Sequence, residues 1–203
     1  MSLSFAKPTT RTIIRTLIPI GTALLAFVVT GFLLLAGGFD PLEAYGLILQ
    51  GSVGGVREVG ETLVRTTSLL LTGLAVGFAF RCRVWNIGAE GQLYFGAIGA
   101  VVIALTVAGQ IPVFGVIIAI IFAMIFGAGW AAIAGVLKSR LGVNEIIVTV
   151  MLNFIAILFV DFLVHGALKA PGFEPQTALI PLTSQLPILI EGTRFHAGFL
   201  VAI

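Results

Sequence analysis

Apolar runs long enough to cross a bilayer recur through this chain, and that repetition limits its fold more than anything else in it. A helix rises 1.5 Å per residue, so a hydrocarbon core of about 30 Å takes about 20 apolar residues. Reading for such runs predicts five spans, at about 13–36, 62–80, 92–107, 113–137 and 146–164, and the start of a sixth at 195–203. Composition agrees: 59% of the 203 residues are hydrophobic and only 10% charged, against about 25% charged in a soluble domain. So little polar surface would not wet a water-exposed globule. The expected fold class is therefore all-α, a polytopic transmembrane helical bundle.

The intervening segments refine this picture. Arg11 and Arg15 at the start of the first run resemble the start of a secretion signal, but the run is longer than a signal's apolar core and no small-residue cleavage site follows. It reads as an uncleaved first helix. Residues 42–50 are mixed and predict a short interfacial helix, while 165–194 carry Pro171, Pro175, Pro181 and Pro187 and predict a long external loop. The last apolar run stops at Ile203, an ending expected of a piece of a longer chain whose whole length to this point belongs to one membrane domain. Lys and Arg collect on cytoplasmic loops. Arg11 and Arg15, Arg81 and Arg83, and Lys138 and Arg140 all fall on one side if the N-terminus is cytoplasmic. Small residues such as Gly73 and Gly77, Gly96 and Gly99, and Gly127 and Gly135 supply several faces for close helix packing.

No catalytic set emerges. Cys82 is the one cysteine, so no disulfide forms within the chain, and the two histidines, His165 and His196, are far apart. Metal-ligand spacing, a phosphate-binding loop and a nucleophile elbow are missing from the sequence, so neither a metal nor a cofactor is expected. The net charge of +2 is spread as pairs at the ends of apolar runs, which argues for topology control rather than nucleic-acid binding.

Two inner turns share a design: basic residues, then an Asn, then a Glu. The first holds Arg81, Arg83, Asn86, Glu90 and Gln92, and the second Lys138, Arg140, Asn144 and Glu145. Capping and helix-dipole complementarity account for Asn144 and Glu145, with Gly142 as a helix-ending residue. In the first turn, a helix starting at Asn86 would carry Gln92 about 9 Å inward. Buried polar groups in glycine-broken helix starts suit a solute path, so Asn86, Glu90, Gln92 and Asn153 are the candidate pathway residues. Asn153 also serves as a simple helix tie. Asp161 and His165, four residues apart, can pair, and Trp85 and Trp130 read as boundary and packing aromatics.

The segment from Phe80 to Gln92 (FRCRVWNIGAEGQ) resembles the F-R-x-G-x-x-N-I-G-A-E-G-Q signature of bacterial ABC importer permeases in the ribose/branched-chain amino acid permease superfamily. The segment from Gly142 to Ala156 (GVNEIIVTVMLNFIA) is similar to a second signature of their nucleoside branch, which works with a basic-membrane-protein-type binding lipoprotein. The chain departs at Cys82 and Arg83, where smaller residues such as Ala and Gly are usual. The resemblance implies an ATP-driven importer of nucleosides or related simple sugars in the bacterial inner membrane. It also implies an extracytoplasmic substrate-binding lipoprotein, a second permease subunit, two cytoplasmic ATPase subunits that hydrolyse the ATP, and a coupling loop beyond Ile203. Membrane lipid is a further expected partner and nucleic acid is not. The competing reading is an ion-coupled secondary transporter for a small polar solute, with Glu90, Asp161 and His165 as its relay; an intramembrane enzyme lacks a nucleophile–base pair.

Overall fold

A computed structural model of the chain describes residues 10–111 and 114–203, the side chains of 10–16 and of Ala108 excepted. The side chains of Arg11 and Arg15, and residues Pro112 and Val113 at the expected start of the fourth span, lie outside that set. The described residues are helical wherever they are regular, apart from one isolated antiparallel bridge. They divide into two units, one ending at Val59 and one beginning at Gly60.

In the first unit, α1 (Thr10–Ala36) ends at Gly37-Gly38, where Gly38 takes φ +81°. Asp40 then caps α2 (Pro41–Val53), its carboxylate accepting from the Leu42 N–H at 2.8 Å, with Pro41 in the first helical position. The Tyr45 hydroxyl donates to the Phe27 carbonyl at 2.5 Å, and the two rings meet edge to face at 5.6 Å. Phe27 lies about 13 Å back from the end of α1. Thus α2 is longer than the expected 42–50 helix and doubles back along α1, because Tyr45 finds its hydrogen-bond partner there.

The second unit holds most of α3 (Val56–Arg81), then α4 (Ala89–Thr106), α5 (Gly115–Leu141), α6 (Glu145–His165) and the short α7 (Gly198–Ala202). Helices α4, α5 and α6 pack together, and α3 has no comparable packing against them. The α4–α5 contact is backbone to backbone. A Cβ on Gly96 would stand 3.1 Å from the Ala123 carbonyl, and one on Gly127 would stand 3.1 Å from that of Gln92. Small residues gain this close approach where lipid removes the hydrophobic drive between helices. Trp130 stacks face to face on Phe95 at 3.6 Å, and Phe95 on Phe159 at 5.6 Å.

Five helices (α1, α3, α4, α5 and α6) are long and apolar enough to span a membrane. Their large side chains point outward: Leu69 is 72% exposed, Met124 67% and Leu158 69%. Water would penalise such a surface by about 25 cal/mol per Å², and hydrocarbon would not. This is the surface of a multi-pass membrane protein.

The segment 166–197, which takes in most of the external loop expected at 165–194, is pinned at three places. Thr193 sits on Gly60, where a Cβ would come within 2.6 Å of its own. Arg194 forms a two-pronged ion pair with Glu61, its Nε 2.7 Å from Oε1. Thr183 donates to the Gly109 carbonyl at 2.9 Å. A narrow hairpin closes it, with the Leu189 N–H donating to the Phe195 carbonyl at 2.8 Å and the Ala197 N–H to that of Pro187 at 2.9 Å. Hydrogen bonding to Glu61 holds the Arg194 guanidinium above its ordinary pKa.

Candidate functional site

Both basic turns carry a residue in the left-handed region close to their start. Gly142 ends α5 at φ +65°, its N–H donating to the Lys138 carbonyl at 3.0 Å. Two residues on, the Asn144 side chain accepts from the Ile146 N–H at 2.9 Å and caps α6. Lys138 and Glu145 pair across this turn.

At the end of α3 the left-handed residue is Arg83, φ +57°. The Val84 N–H donates to the Ala79 carbonyl and the Arg83 N–H to that of Phe80, both at 3.0 Å, the bonds of a Schellman ending. Arg83 is the one non-glycine residue with positive φ among those described. The departure at Arg83 therefore keeps the turn that glycine would make, at a cost of about 1 kcal/mol or somewhat more in the left-handed region.

Beyond Arg83 the chain stays non-helical as far as Gly88, and α4 starts at Ala89. The helix thus begins three residues before the expected span of 92–107, and not as early as Asn86. The Asn86 side-chain oxygen Oδ1 accepts the Gly88 N–H at 2.9 Å, a local turn that competes with helix. The Asn86 and Gln92 amides also face each other, amide nitrogen to oxygen at 3.1 and 3.2 Å. Gln92 is therefore in the first turn of α4, not a turn and a half inward.

Helix α6 holds this segment through one face. Glu145, Thr149 and Asn153 are four residues apart and stack along the helix. The Trp85 N–H reaches a Glu145 oxygen at 3.5 Å, and the Ile87 N–H donates to the Thr149 hydroxyl at 3.3 Å. Asn153 makes the strongest tie, accepting from the Gly91 N–H at 2.8 Å and donating to the Ile87 carbonyl at 2.9 Å. A side chain at Gly91 would meet the Asn153 oxygen at 2.9 Å and the Trp130 indole nitrogen at 3.1 Å. That indole N–H is buried with no partner among the described residues.

A cavity of about 550 Å³ opens beside this ladder. The end of α3 contributes Ala79 and Cys82, the turn Asn86, α4 Gln92, α5 Lys138 and α6 Glu145 and Thr149. Of the predicted pathway residues, Asn86 and Gln92 line it. Asn153 lies behind as the tie, and Glu90 is exposed outside the lining. Arg81 and Arg83 are exposed at the rim of the turn. Asp161 and His165 pair at 3.2 Å, exposed at the far end of α6. Arg65 is the one charged residue of the expected span 62–80, and a single charge is submerged in the apolar average that reveals a span.

Residues 59–203 match the family described as "Branched-chain amino acid transport system / permease component". The chain belongs to this permease family. Among similar curated permeases, the guanosine ABC transporter permease protein NupP of Bacillus subtilis is 33% identical over 192 residues, covering 92% of this chain and 54% of NupP. The nucleoside ABC transporter permease protein NupB of Lactococcus lactis is 29% identical over 93% of the chain and 54% of its own length. The glucose ABC transporter permease protein TsgB13 of Haloferax volcanii is 33% identical over 91% and 51%. This permease chain thus spans about half the length of the curated relatives it matches. No solved structure matches it.

Proposed function

We propose that this chain supplies the N-terminal part of the membrane subunit of an ATP-driven importer for nucleosides or related simple sugars. One observation carries the reading: two segments about sixty residues apart, each resembling a permease signature, are hydrogen-bonded to each other beside a mainly apolar cavity into which a few polar side chains are set. The cavity's volume falls in the ligand-pocket range of about 300–1,000 Å³. Its amides, hydroxyl and ion pair suit an uncharged, oxygen-rich solute, and guanosine, nucleosides and glucose in the relatives' names are of that chemistry.

In this reading the N-terminus and both basic turns are cytoplasmic, and the pinned segment 166–197 faces outward in a bacterial plasma membrane. Hydrolysis of ATP takes place on separate cytoplasmic subunits. A second permease subunit completes the path, and an extracytoplasmic binding lipoprotein delivers the solute. Asn86 and Gln92 contact it at the inner end, Asn153 sets the turn that presents them, and Glu90 acts from outside the lining.

The test is uptake of labelled guanosine, uridine and glucose by the full-length permease, with and without its ATPase partner. ATP-dependent uptake of at least one is expected, lost when the ATPase is inactivated. Uptake that persists without the ATPase and follows a proton or sodium gradient would instead establish an ion-coupled carrier. Gln92→Ala should lower uptake about tenfold through lost solute contacts, and Glu90→Ala by less.

A further inference from the structure

The face of α3 that carries Arg65 is unexplained by packing. At 100° per residue, Glu61, Arg65, Ser68, Thr72 and Ala79 fall within about 60° of one another. Gly60 and Thr67, which are buried, lie on the other side of the helix. Arg65 is exposed and has no ion-pair partner among the described residues. It stands one turn, about 6 Å, inward of Glu61, inside a helix long and apolar enough to span. A guanidinium in hydrocarbon is costly and persists where water or polar groups meet it. A long side chain can reach back to the interface, but Ser68 and Thr72 continue the same face one and two turns deeper.

Both ends of the face lead somewhere. At one end Glu61 is bonded to Arg194 of the pinned segment. At the other, Ala79 lines the 550 Å³ inner cavity together with Asn86, Gln92 and Thr149. We propose that this face of α3 is a wall of the solvated translocation path, running between the outer segment and the inner cavity. Arg65 is its selecting group, offering guanidinium donors to the hydroxyl and carbonyl oxygens of a neutral solute and repelling cations. The inference rests on the transport reading and names the wall that reading leaves open.

The experiment uses the full-length permease in its assembled transporter, with native cysteines replaced and single cysteines placed by Ser68→Cys, Thr72→Cys, Leu70→Cys and Leu74→Cys. The first two are nearly isosteric changes on the proposed wall, and the last two lie on the opposite side of α3. A charged, membrane-impermeant thiol reagent should modify positions 68 and 72 at least about tenfold faster than 70 and 74, because only a hydrated thiol ionises and reacts. Equal rates at all four positions would overturn the wall. Arg65→Gln should slow uptake and Arg65→Lys restore part of it; uptake unchanged in both would remove Arg65 as the selecting group. ATP-driven uptake with positions 68 and 72 silent sinks the wall and leaves the transport reading intact. Fast labelling there without ATP-driven uptake of any nucleoside or sugar does the reverse.

Discussion

The two basic turns start alike and are stabilised differently. Three residues, Gly142, Val143 and Asn144, separate α5 from α6, and the turn settles its own backbone groups with a left-handed glycine and a side-chain cap. Seven residues, Cys82 to Gly88, separate α3 from α4, and that turn cannot do so. After its own left-handed residue it relies on Glu145, Thr149 and Asn153 of α6. A turn closed locally is indifferent to its neighbours. A turn held by another helix reports that helix's movement, and this one carries Asn86 to the cavity wall.

The comparison breaks most severely at Gly91→Leu, which drives a side chain into Asn153 and Trp130. Overpacking of this kind costs about 3 kcal/mol, and folded transporter should be nearly lost on size-exclusion chromatography. Asn153→Ala leaves the Gly91 N–H and the Ile87 carbonyl without their partners, at about 2 kcal/mol. Its thermal unfolding midpoint should fall, and Cys82 on the released turn should gain reactivity toward maleimide. Unchanged Cys82 reactivity would mean that the turn holds itself. Gly142→Ala should cost about 1 kcal/mol by placing a Cβ in the left-handed region, with no change at Cys82. Arg83→Gly should have the smallest effect and the opposite sign, a gain of about 0.5 kcal/mol after the added backbone freedom of glycine is subtracted. A loss in that variant would show that the arginine side chain contributes more than its backbone costs.

What the sequence disclosed and what it withheld separate along the same line. Gly142 and Asn144 could be read because capping is local, decided within four residues on either side. The membrane-length helices could be read because hydropathy sums over a window. Whether α4 could start as early as Asn86 was not legible, because an Asn can satisfy either a helix end or its own turn, and nothing nearby settles the choice. The bonds from Asn153 to Ile87 and Gly91 could not be read at all, since no periodicity links residues 66 and 62 positions apart. Residues 166–197 looked like a polar connection because their anchors, Gly60, Glu61 and Gly109, lie far back in the chain. Arg65 was hidden for the converse reason: the average that reveals a span conceals the exception within it.

The ties between the first turn and α6 also set an order of events during synthesis. Ile87 and Gly91 leave the ribosome 62 or more residues ahead of Thr149 and Asn153, an interval of about 3–12 s at ordinary elongation rates. Through that interval the turn's amide groups have only water or the insertion machinery to bond with. A pause in translation before α6 would prolong this exposed stage, and quality-control proteases would meet the nascent permease there first.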